Sequence, residues 1–153
     1  MFKRNVIGNA LLALVAGGAV AGARAQAPAT AAGRKRFLVH VTTGPQDPTR
    51  AALSFLVAAT ALKQGHAVTL FLAGEGVRLL SAEAVASVEG QGTGRLAAHL
   101  PEILAHGGRF VMSGMSARAR GLGEELIAGR PAEFAQPDVL VRLAAEADVV
   151  ITY

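Results

Sequence analysis

A chain of 153 residues, 52% of them hydrophobic and 17% charged, has room for one ordinary domain with its own core and little space for a second. It contains no cysteine, which excludes a disulfide, a thiolate nucleophile, a persulfide and any cysteine-based metal site. The formal net charge of +4 owes much to Lys3, Arg4 and Arg24; setting these three aside leaves 12 of the 15 basic residues against 11 acidic ones, so a nucleic-acid-binding surface is not implied.

The chain opens with Lys3-Arg4, continues with an apolar run from Val6 to Val20, and reaches Ala23-Arg24-Ala25 before Gln26. This is the pattern of a secretory signal peptide over residues 1–25, with cleavage expected after Ala25 and a periplasmic mature protein. Gly8, Asn9, Gly17 and Gly18 interrupt the run, which also falls short of the roughly 20 residues that span a bilayer, so no stable membrane insertion is expected after cleavage. Residues 26–35 are rich in Ala, Pro and Thr without a period and read as a flexible linker, and the basic run Arg34-Lys35-Arg36 between it and the first strand reads as solvated charge. The folded domain is expected over 36–153.

Phe37 to Val41 is a short apolar, β-prone run ending at Thr42-Thr43-Gly44-Pro45, as a buried parallel strand ends in a turn. Asp47-Pro48 offers an N-cap with proline in the first turn, and Ala51, Phe55, Ala59 and Leu62 recur at helical spacing up to a stop at Gly65. Leu53, Leu56 and Val57 widen that apolar surface, which hints at a subunit interface on this helix. A second strand follows at Val68–Leu72, then an exit loop from Ala73 to Gly76 and one or two helical turns between Val77 and Val88. Gly90, Gly92 and Gly94 read as a flexible joint. Leu96, Leu100, Ile103 and Leu104 predict an amphipathic helix, and Phe110-Val111-Met112 a third strand that leads into the loop Ser113 to Arg120. A polar stretch with Gly121, Gly123, Gly129 and Pro131 separates it from a last helix beginning at Pro137-Asp138, and Val149-Val150-Ile151 closes the sheet. Alternating strands and helices predict an α/β fold: a three-layer α/β/α sandwich around a mainly parallel sheet of about four to five strands.

In such sheets ligands bind beyond the carboxyl ends of the strands. The exit loops place Thr42, Thr43, Glu75, Ser113, Ser116, Arg118 and Arg120 on one edge, beside the amino end of the first helix, where a small anion would be welcome. The competing reading is that the threonines cap a turn and the arginines pair with Glu75, Glu124 or Glu125. A serine hydrolase using Ser113 or Ser116 is a second hypothesis, although Gly114-Met115-Ser116-Ala117-Arg118 lacks the second glycine of a nucleophile elbow and His40 alone of the four histidines lies near this edge. Gly90-Gln91-Gly92-Thr93-Gly94 follows no strand and has the wrong spacing for a dinucleotide loop, and no paired histidine spacing marks a metal site. Neither a cofactor nor a metal is expected.

Taken together, Thr43-Gly44-Pro45-Gln46-Asp47-Pro48-Thr49-Arg50-Ala51, Gly65-His66-Ala67-Val68, Phe71 to Val77, Ala119-Arg120-Gly121 and the closing Glu146 to Tyr153 resemble the DsrE family in order and spacing, from about Phe37 to Tyr153. The resemblance implies a small α/β/α protein assembled as a trimer or hexamer, in a family whose best-known members pass sulfur as a persulfide on a cysteine. In those members the cysteine ends the third core strand, a place that corresponds to Ser113 here, and some relatives carry another at the position of Ser116. A hydroxyl cannot hold sulfane sulfur, so carrier chemistry is excluded on this chain. The resemblance leaves a binding or scaffolding role: a homo-oligomer holding a small anion or sulfur species, or a subunit beside a cysteine-bearing DsrE-like paralogue.

Overall fold

The structure, a computed structural model, describes residues 33–153. The expected signal segment, its cleavage site and the linker up to residue 32 lie outside the described residues. The sheet is wholly parallel and has five strands: β1 (Arg36–Val41), β2 (Ala67–Leu72), β5 (Arg109–Ser113), β6 (Ala132–Ala135) and β7 (Val149–Thr152), in the order β6-β5-β2-β1-β7. Chain order therefore reverses between β1 and β7.

Strand register decides what each face carries. Val39, Val41, Leu70, Leu72, Phe110 and Met112 point to one side, where α1 (Pro48–Lys63), the 3-10 turn Gly74–Leu80, α2 (Ala82–Ser87) and α3 (Leu96–Ala105) cover them. Leu38, Phe71, Val111 and Ala135 point to the other, which is covered by α5 (Pro137–Glu146) through Val139, Leu140, Leu143 and Ala147. Both faces are apolar because a parallel sheet is buried on both sides. The cover, however, is three helices against one.

The first helix forms as its sequence predicts. The Asp47 side chain accepts from the Arg50 amide at 3.1 Å, and Pro48 supplies the fixed φ of the first turn. Phe55 is fully buried against Phe110, with ring centroids 5.9 Å apart. The broad apolar surface of α1 is covered from within the chain: α3 and the hairpin described next pack on it, leaving Leu53, Leu56 and Val57 half-buried.

Three expectations change. The glycine-rich joint is instead an antiparallel hairpin of β3 (Glu89–Gly90) and β4 (Gly94–Arg95), seated on the start of α1. The Gln91 amide donates to Thr49 Oγ1 at 3.0 Å and Thr93 Oγ1 to the Thr49 carbonyl at 3.2 Å. Gly90 is glycine because the backbones approach closely: a Cβ there would stand 2.8 Å from Thr49 Cα and 3.0 Å from the Pro48 carbonyl oxygen. The run after Met112 forms a short helix, α4 (Gly114–Arg118), in place of a loop. The polar stretch before the last helix contains β6, an edge strand of four residues whose sequence, Ala-Glu-Phe-Ala, gives too short a pattern to read. Among the described residues no helix is long and apolar enough to cross a membrane.

The hairpin's seat on α1 makes a prediction. Gly90→Ala should destabilise the protein by about 2 kcal/mol in equilibrium urea unfolding, because neither neighbouring backbone can yield. A flexible joint would leave the midpoint unchanged.

Candidate functional site

The carboxyl ends of β1, β2 and β5 meet where the sequence places its candidate residues, and the structure brings four of the seven together. Glu75 stands at the centre. Arg120 Nε donates to its Oε1 at 2.9 Å while Arg120 Nη2 lies 2.8 Å from the same oxygen, and Arg78 Nε donates to Oε2 at 2.9 Å. Arg120 Nη1 also donates to the Ser116 carbonyl at 2.9 Å. Ser116 Oγ accepts from the Gly74 amide at 3.0 Å, and Ser113 Oγ accepts from the Ser116 amide at 3.2 Å as the N-cap of α4. Gly44 presses on the same centre: a Cβ on it would lie 2.6 Å from both Glu75 Cβ and the Glu75 carbonyl oxygen.

The remaining three residues stand apart. Thr42 donates its hydroxyl and its amide to the Tyr153 carbonyl, at 2.9 and 2.8 Å. Tyr153 in turn gives its amide to the His40 carbonyl at 2.9 Å, so the reversal point between β1 and β7 is occupied by the chain itself. Burial raises the Tyr153 phenol above its ordinary pKa. Thr43 is half-buried in the turn, and Arg118 is exposed, with no ion pair among the described residues.

The edge is thus less inviting to an anion than its residue types suggest. Arg120 is already neutralised by Glu75, and the amino end of α1 carries the Asp47 carboxylate as its cap, with the β3-β4 hairpin over Thr49. A bound anion there would meet a negative charge before it met a free amide. A cavity of about 260 Å³ beside this edge is lined by Pro45, Gln46, Arg78, Ser81, Glu83 and Leu122, among others, and by none of the seven.

The serine-hydrolase alternative finds no base. His40 and Ser113 lie on the same face of the sheet but on β1 and β5, with β2 between them, a separation of about 10 Å from strand spacing alone. The Phe71 ring stands edge-on to His40 at 5.9 Å, and burial lowers the His40 pKa from its ordinary value. Its Nε2 has no partner, while His66, His99 and His106 bond to Lys35, Thr93 and Glu102. Neither serine has a histidine to take its proton.

A further cavity, about 290 Å³, lies at the opposite end of the sheet and is bordered by Arg34, Arg36 and Arg109. The sequence assigned it no residue. Its one signal was the basic run Gly33 to Arg36, which reads as solvated charge and is indeed exposed.

A family model, the DsrE/DsrF-like family, matches residues 35–153. No curated protein matches the chain. Among solved structures, the chain is similar to the ychN protein from E. coli, with 18% identity and a TM-score of 0.62 over 78% of this chain and 99% of that one. It is also similar to a conserved protein of unknown function, BT1422 from Bacteroides thetaiotaomicron, with 13% identity and a TM-score of 0.55 over 78% of this chain and 95% of that one. At these identities the likeness is one of fold.

The hydrogen bond from Arg120 holds Glu75 below the ordinary carboxylate range, with the charge of Arg120 and then Arg78 adding to it. A depressed carboxylate stabilises the fold at pH above its unfolded pKa, and that contribution disappears as pH falls through the folded value. Glu75→Gln should therefore melt below the natural protein at neutral pH, and the gap should close on acidification. Thermal melts of the two across the carboxylate range check this, since Glu102, Glu125 and Asp148 titrate alike in both.

Proposed function

We propose, from the premise that this chain belongs to the DsrE/DsrF-like family, that it is a binding or scaffolding member of a sulfur-relay-type family and does not carry sulfur itself. The observation that carries this reading is at Ser113. The resemblance aligns this residue with the carrier cysteine, and here its Oγ is an acceptor fixed to the Ser116 amide at the start of α4. The chain has no cysteine at any other position that could take over the role.

The reading continues as follows. The protein is exported and works in the periplasm, as the basic and apolar opening of the sequence supports. It assembles as a trimer or hexamer of its own copies, or stands beside a cysteine-bearing DsrE-like paralogue whose persulfide does the chemistry. Among the described residues β7 is an edge strand with no further partner, and Val150 on it is 49% exposed, which supports a role in contact with other chains. The exposed Arg118 at the end of α4 has no ion pair among the described residues and would meet an anionic sulfur species.

Native mass spectrometry of the protein purified from its own periplasm tests this. A homo-oligomer, or a complex with a cysteine-bearing partner, is the expected result, and treatment with polysulfide should leave the mass of this chain unchanged. A monomer at micromolar concentration, or labelling by a serine-directed phosphonate that Ser113→Ala abolishes, would overturn the reading.

A further inference from the structure

The cavity at the amino ends of the strands has a chemistry of its own. Arg36 opens β1 and Arg109 opens β5, with β2 between them. The register sets Arg36 opposite Ala67 and Arg109 opposite Thr69, and both arginines fall on the face that α5 covers, since Leu38 and Val111 two residues on belong to that face. Two guanidinium arms thus rise on either side of one strand, staggered by two residues and so about 12 Å apart at their Cα atoms. Arg34 borders the same space, and Leu38 and Leu143 supply apolar wall.

The cations here are less occupied than Arg120. Arg36 Nε stands 3.7 Å from Asp148, whose carboxylate instead takes the Arg36 backbone amide at 2.7 Å. Arg109 pairs with Glu133 through Nη2 alone, at 3.0 Å, with both side chains more than half exposed. Arg34 has no ion pair among the described residues. Glu146, the one acid on the cavity wall, lies 3.7 Å from Arg142. Guanidinium forks match carboxylate and other oxyanions, exposed pairs of this kind are weak, and a cavity of this size with apolar walls and a few charged groups is typical of a small-ligand site.

We infer that this cavity binds a compact amphiphilic carboxylate, its head between Arg36 and Arg109 and its aliphatic body against Leu38 and Leu143. The site is independent of the strand-exit reading, which uses none of these residues.

Octanoate is a suitable probe, with 1-octanol as the body without the charge and sulfate as an oxyanion without the body. Isothermal titration calorimetry on the purified protein should show octanoate binding once per chain and neither control matching it. Arg36→Gln combined with Arg109→Gln should raise the Kd about tenfold or more, as loss of a charge-assisted hydrogen bond does. Leu143→Phe, which fills the apolar end, should weaken octanoate as well and serves if the double variant does not fold. No octanoate heat, an unchanged Kd in the folded variants, or sulfate binding as tightly as octanoate would overturn the inference.

Discussion

A parallel sheet has to be covered on both faces, and most features of this molecule follow from how unevenly that is done. Every crossover from β1 to β5 runs over one face, where α1, α2 and α3 share a single apolar cluster. Among the described residues the return from β6 to β7 alone crosses the other face, and it consists of α5. One helix of ten residues cannot shade five strands. It runs from the carboxyl end of β6 to the amino end of β7, so it crosses the sheet obliquely and leaves opposite corners thinly covered. One corner holds His40 and Val150; near the amino ends, beside the last turn of α5, lies the cavity with Arg36 and Arg109.

The same connectivity explains why the centre of the strand-exit edge is occupied by the chain's own groups. In doubly wound sheets the crevice opens where chain order reverses, here between β1 and β7. Thr42 and Tyr153 fill that point with three hydrogen bonds linking β1 and its neighbour. Beyond β2 and β5, Gly74, Glu75, Ser116 and Arg120 satisfy one another. A half-exposed carboxylate held between two guanidinia locks the loop after β2 to the helix after β5. The serines that sit where a carrier cysteine is expected belong to that lock, one as a helix cap and one as the acceptor for a loop amide. Structural work of this kind needs an acceptor oxygen and no reactive group.

Local rules were enough wherever the chain's neighbours in sequence are also its neighbours in space. Asp47-Pro48 announces α1, the apolar runs announce β1, β2, β5 and β7, and each lies where the pattern puts it. What escaped depends on distant partners. Glycines at 90, 92 and 94 suggest freedom, yet Gly90 is glycine because Thr49 and Pro48 press on it from 41 and 42 residues away. β6 shows too few residues for a period and exists because β5 pairs with it. Much of the breadth of α1 is taken up by α3 and by a hairpin that no local pattern places there. Arg34 and Arg36 are exposed, as their place before the first strand implies, and strand register alone brings Arg109 beside them.

A site at the amino ends has to overcome the ordinary preference for the other edge. The last turn of α5 meets this cavity, and a helix carboxyl end disfavours an anion by about 0.3–1 kcal/mol. Each charge-assisted hydrogen bond from a guanidinium contributes about 1.5–3 kcal/mol, so a single well-placed arginine outweighs the dipole. At the strand-exit edge the balance runs the other way: the favourable end of α1 is taken by Asp47 and the best-placed arginine by Glu75. Free donors, more than backbone dipoles, decide which end of this sheet offers room to an anion.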